Sequence, residues 1–153
     1  MSNRSTPLTV RHPNITCGLI NSGTTLALVS DSVVSAIYGA IPGSRMDSSI
    51  GGWVYPAGAA VPDIEFAVGD TMFKINAADF PYGTATGGLL FGGIQSRGNN
   101  EFDILGDSEF IFIFGEFVQG VQGANGRSIV FLKSVYVVFD QGNVRIGMAQ
   151  RST

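Results

Sequence analysis

The stretch that decides the fold is Thr16-Cys17-Gly18-Leu19-Ile20-Asn21-Ser22-Gly23-Thr24-Thr25-Leu26-Ala27-Leu28-Val29. Two short apolar runs, Thr16 to Ile20 and Leu26 to Val29, flank a cluster of small polar residues, the pattern of a strand, a tight loop and a second strand. Directly after it, Ser30-Asp31 supplies a helix N-cap signal. Val33, Val34, Ile37, Tyr38 and Ile41 then recur at helical spacing until Pro42-Gly43 stops them. One short helix is expected over about Asp31 to Ala40.

Outward from there the signals are of strands. Trp53-Val54-Tyr55 is a brief one. Ile64, Phe66 and Val68 alternate up to Gly69-Asp70, and a second run with Phe73 and Ile75 follows, as in a β-hairpin. Leu89 to Ile94 and Phe102 to Leu105 are two further candidates. Val135 to Phe139 and Val144, Ile146 and Met148 flank Gln141-Gly142-Asn143 as a closing hairpin. The polar opening before Thr16 shows no such pattern. Composition agrees with a β-rich domain: of 153 residues, 21 are Gly without a Gly-X-Y period, 44% are hydrophobic and 14% charged. No internal repeat or linker divides residues 1–153, so one domain is expected.

The net charge of −3 and only two lysines, Lys74 and Lys133, leave no basic footprint for nucleic acid. No apolar run approaches the roughly 18 residues of a membrane span, and the opening residues lack the apolar core of a signal peptide. A single cysteine and a single histidine exclude an internal disulfide and any multi-ligand His or Cys metal site within one chain. No metal and no cofactor are expected. The Asn21–Thr25 loop has no P-loop lysine. Ser22 as a nucleophile would have only His12, in a Pro-flanked polar tail, as its base. Asn14-Ile15-Thr16 is a polar strand start before it is a glycosylation acceptor, and Cys17 fits a small buried hydrophobe.

Seven stretches, in order, carry a resemblance. They are Gly18-Leu19-Ile20-Asn21-Ser22-Gly23-Thr24-Thr25, Asp31-Ser32-Val33-Val34-Ser35-Ala36, Gly51-Gly52-Trp53-Val54-Tyr55-Pro56, Val61-Pro62-Asp63-Ile64, Phe91-Gly92-Gly93-Ile94-Gln95-Ser96, Ile104-Leu105-Gly106-Asp107, and Phe131-Leu132-Lys133-Ser134-Val135-Tyr136-Val137-Val138-Phe139-Asp140. Together they resemble the C-terminal lobe of a fungal pepsin-like aspartic peptidase. The resemblance implies an all-β single lobe, half of a bilobal acid-protease fold, with one or two short helices. It also implies a central cleft to which each lobe brings one Asp in an Asp-Thr/Ser-Gly loop. A hydrophobic-hydrophobic-Gly segment, here Ile104, Leu105 and Gly106, crosses behind that loop.

By the same resemblance, Asn21 stands where the second catalytic Asp belongs, and Ser22, Gly23, Thr24 and Thr25 line the substrate side. The chemistry uses two carboxylates sharing one proton around an attacking water. An amide keeps the shape and the hydrogen bonds but cannot exchange that proton. The family function is endopeptidase action on an extended peptide or protein substrate. This chain alone is expected to be inactive, since the N-terminal lobe is missing from it and a homodimer would set Asn21 against Asn21. The alternatives are a non-catalytic peptide-binding or decoy lobe and a vestigial gene fragment. The family's lobe disulfide falls on Ala57 and Leu90, neither with sulfur, and full-length members are secreted or vacuolar.

The family runs directly from Ile-Leu-Gly-Asp into Ile/Val-Phe-Leu-Lys, whereas 22 residues, Ser108 to Ile129, intervene here. Their codons span 66 bases. Ser108-Glu109-Phe110 can encode GTGAGT, a splice donor. Ala124-Asn125 can encode the branch string CTAAC, and Ile129-Val130 can supply a terminal AG. The segment reads as a retained intron or gene-model error. As a genuine surface loop it would be unusual, because Phe110-Ile111-Phe112-Ile113-Phe114 is a bulky uncharged run suited to an edge strand or to association.

Overall fold

The computed structural model describes residues 9–12, 18–21, 26–106 and 131–152. Segment 108–129, Cys17 and Asn14 to Thr16 lie outside the described residues, as do Ser22 to Thr25. In chain order the strands are β1 (Thr9–His12), β2 (Gly18–Asn21), β3 (Ala27–Val29), β4 (Arg45–Asp47), β5 (Gly52–Pro56), β6 (Asp63–Val68) and β7 (Thr71–Ile75). They continue as β8 (Pro81–Ala85), β9 (Leu89–Gly92), β10 (Ile94–Ser96), β11 (Asp103–Gly106), β12 (Val135–Asp140) and β13 (Arg145–Gln150). One α-helix, α1 (Asp31–Gly39), and three single 3₁₀ turns complete the described elements. The molecule is all-β, as one pepsin-like lobe would be.

Four small sheets share the work: β1-β6-β7, β10-β3-β11-β2, β4-β5-β9-β8 and the ribbon β12-β13. The hairpin β6–β7 forms where alternation places it, with Ile64, Phe66, Phe73 and Ile75 all directed into the core. Helix α1 starts after Ser30 and buries Val34, Ile37 and Tyr38 at i, i+3 and i+4 spacing. The Ser30 hydroxyl does not cap it and instead meets the Ser32 hydroxyl at 3.1 Å. Among the described residues the larger of two apolar clusters joins α1, β3, β6, β7, β10 and β11 to Tyr55, Phe80, Phe131 and Val135, and a smaller one is built on Val54 and Phe91. Phe131 meets Phe66 and Phe73 edge-on, at ring separations of 5.9 and 6.4 Å.

Several elements depart from the sequence expectation. Residues 9–12, read as polar tail, form β1, parallel to β6 with Val10 opposite Ile64 and His12 opposite Phe66. The strands β4 and β8 were not expected either. Leu89 to Ile94 is two strands rather than one, because Gly93 leaves the β9 ladder and donates to the Phe80 carbonyl at 2.7 Å. Val144 belongs to no strand. It ends the 3₁₀ turn of the closing hairpin in a left-handed conformation, with φ at 51°. Ala57 and Leu90 lie on neighbouring chain segments, Leu90 opposite Tyr55 and the Ala57 N–H on the Gly88 carbonyl at 3.2 Å.

Candidate functional site

Three strands set the place of Asn21 at the end of β2. Strand β2 ends at Asn21 and the chain returns as β3 at Ala27, yet the two do not pair with each other. Between them lies β11, delivered from far along the sequence. It runs parallel to β2, with Ile104 opposite Leu19, Leu105 opposite Ile20 and Gly106 opposite Asn21. On its other edge Ile104 is antiparallel to Leu28 of β3. The expected trio Ile104, Leu105 and Gly106 is therefore brought beside Asn21 by backbone pairing. Leu105 is fully buried in the core and Ile104 half-buried.

Ties outside the expected residues fix β11 in that place. At its start Asp103 is buried, and its carboxylate faces the Arg97 guanidinium with Nε to Oδ1 at 3.3 Å. Arg97 also donates its backbone N–H to Val29 of β3 at 2.8 Å, so one residue anchors both neighbours. The Ser96 hydroxyl donates to the Asp31 carboxylate, joining β10 to the first turn of α1. None of these ties was named from sequence. A hint was available in Asp103 itself, a charge directly before an apolar strand, which has to find a cation when it is buried.

Beneath them sits a buried amide network. Gln95 donates from Nε2 to the carbonyls of Gly92 and Trp53, at 2.7 and 3.1 Å, and to the Tyr38 hydroxyl at 3.3 Å. Its Oε1 accepts from the Trp53 N–H at 2.8 Å. Tyr38 in turn donates to the Ile94 carbonyl at 2.8 Å and stacks on Trp53 at 5.1 Å. Burial pushes the Tyr38 hydroxyl well above the ordinary phenol range, so it stays protonated and available as a donor. The network locks β10, β5 and α1 together behind β3.

A polar cleft of about 490 Å³ lies elsewhere, lined by Asn76, Asp79, Lys133, Ser134, Gln150, Arg151 and Ser152. It contains none of the site residues expected from sequence, Asn21 to Thr25 and Ile104 to Gly106. No group of three or more His, Cys, Asp or Glu side chains is gathered among the described residues. No described helix is long and apolar enough to cross a membrane.

The model of the family described as "Eukaryotic aspartyl protease" matches residues 8–125. The chain belongs to the eukaryotic aspartyl protease family. Fungal members are among its relatives. Aspergillopepsin-1 of Aspergillus oryzae is 36% identical over 135 residues, and penicillopepsin-1 of Talaromyces stipitatus 37% identical over 134. Penicillopepsin-2 of Penicillium janthinellum is 36% identical over 140 residues. Each comparison covers 88% of this chain but only 29% of the relative. The aspartyl protease resemblance is thus to a part of each relative.

Proposed function

We propose that this chain is the C-terminal lobe of a pepsin-like aspartic peptidase with Asn21 at the place of the second catalytic Asp. In this reading it binds an extended peptide without hydrolysing it. The observation that carries the reading is the alignment of Gly106 beside Asn21, with β11 threaded between the strands that flank the loop. Family membership supports it, as does the small share of each relative that the chain spans.

The chemistry follows from residue type. In the family reaction one carboxylate takes a proton from water while its protonated partner polarises the scissile carbonyl. Asn21 can donate and accept hydrogen bonds but cannot cycle a proton. A peptide laid along the loop as a strand needs only such hydrogen bonds. Ser22, Gly23, Thr24 and Thr25 are the proposed contacts.

Calorimetric titration with a transition-state mimic of the pepsin family, beside a peptide-cleavage assay at acid pH, tests this. Saturable binding with no cleavage is expected. The substitution Asn21→Asp is expected to leave the chain inactive by itself, because a lone carboxylate has no partner. Cleavage by the unaltered chain, or an absence of binding, overturns the proposal.

A further inference from the structure

The polar cleft of about 490 Å³ forms where the ribbon β12–β13 joins the body of the molecule. Gln150 makes the joint. Its Oε1 accepts from the Lys74 N–H at 2.7 Å, and its Nε2 donates to the carbonyls of Lys74 and Ser134 at 3.0 and 2.6 Å, so its amide is spent on backbone. The buried Ser134 hydroxyl accepts from the Asn76 N–H at 3.1 Å. Asn76 has half of its own amide to spare. Its Oδ1 accepts from the Ala78 N–H at 3.0 Å, which fixes the amide's orientation, and its Nδ2 donates to nothing among the described residues. Arg151 is placed by its backbone N–H on the Ser134 carbonyl at 3.0 Å and by Nη1 on the Lys133 carbonyl at 3.4 Å. No carboxylate among the described residues pairs with its guanidinium. Lys133 faces Asp79, with Nζ to Oδ1 at 3.5 Å. The lining thus sets two cations against one carboxylate, on a chain whose net charge is −3.

We propose that this cleft binds a carboxylate through the Arg151 guanidinium and the Asn76 side-chain amide, with the Lys133 ammonium as the second positive charge. A guanidinium presents its N–H groups in a planar fork that matches the two oxygens of a carboxylate. The spare Asn76 donor lines the same cleft, so the site offers hydrogen bonds that nothing in the described chain takes up. Other ligand classes fit less well. A cation would meet Arg151 and Lys133, and the one acidic side chain already faces Lys133. An apolar ligand would meet a lining in which every residue is polar or charged. The volume is that of a small-molecule site, for which roughly 300–1,000 Å³ is usual. It suits a small organic acid or the acidic side chain of a peptide. The proposal does not rest on peptide binding by the candidate loop.

Nuclear magnetic resonance titration of the isotope-labelled full chain tests it, with sodium succinate in one series, a blocked di-glutamate peptide in another, and sodium chloride of equal ionic strength as reference. Saturable shifts of the Asn76, Ser134 and Arg151 amides are expected, with a Kd of about 1 mM or tighter. Saturation by succinate alone identifies a small organic acid as the ligand, and saturation by the peptide identifies an acidic side chain. Arg151→Gln is expected to weaken binding by about tenfold or more. Arg45→Gln removes the same charge at an exposed position on β4 and is expected to leave binding unchanged. If Arg151→Gln disturbs the spectrum beyond the cleft, Asn76→Asp gives the same test, because it keeps an acceptor for the Ala78 N–H and replaces the spare donor with a negative charge. Absence of saturable shifts, equal shifts with chloride, or binding that is indifferent to the cleft substitution or equally weakened by Arg45→Gln overturns the proposal.

Discussion

Glycine at position 92 stands where a side chain has no room. A Cβ there would run into the Tyr38 hydroxyl, and that ring cannot swing aside. It is fully buried, stacked on Trp53 and bonded to the Ile94 carbonyl. Gly92→Ala is therefore expected to destabilise the fold by about 1–3 kcal/mol, the usual cost of overpacking a filled core. Urea unfolding of the two proteins measures it. Gly51 has open space at the same position but a φ of +68°, so its need for glycine is conformational instead. Two adjacent glycines of one quoted sequence stretch, Gly51 and Gly52, differ again: a Cβ on Gly52 would meet the Phe91 ring. Sequence alone shows three glycines. Only packing tells the crowded ones from the strained one.

Among elements, the tip of β12–β13 carries a pH dependence of definite sign. The Asn143 side chain, then the Arg145 guanidinium, hold the Asp140 carboxyl below its ordinary value of 3.8. A carboxyl depressed by folding contributes stability above its unfolded value, and loses it as pH falls through the folded one. Asp140→Asn is expected to lower the thermal midpoint near neutral pH, the difference from the unaltered chain vanishing as pH falls through the depressed value of the folded carboxyl. Melting curves across that range check it. The hairpin itself was legible in sequence, as were β6–β7 and α1, because alternation and helical spacing are local signals. Strand β1 was not: Thr9-Val10-Arg11-His12 has one aliphatic residue and pairs in parallel with residues 63–66. Edge strands β4 and β8 were missed for a similar reason. Pro81 and Gly83 give β8 the composition of a turn, and its register shifts between them. At the candidate site, Ile104 to Gly106 were found by resemblance. The Gln95 network was not, because its partners include Tyr38 and Trp53, far away along the chain.

For the whole molecule, the main core among the described residues gathers α1 with strands of all four sheets. The proposal that segment 108–129 is a retained intron has a direct consequence. The native transcript is expected to skip codons 108 to 129 and join Asp107 to the Phe131 region, which sequencing of the messenger RNA reads out. A transcript that keeps those codons overturns it. The strand β11 has a further consequence, for synthesis. Asn21 and Gly106 are neighbours in the sheet but about 85 residues apart in the chain, and β2 and β3 have no ladder of their own. Closing so long a loop is slow. As the ribosome delivers the chain from its N-terminus, β3 can first take its parallel partner β10, whereas β2 emerges early and must wait for β11, its one neighbour among the described strands. The nascent chain is thus most vulnerable to chaperones and proteases at the very segment that carries the candidate loop, until translation has passed Gly106.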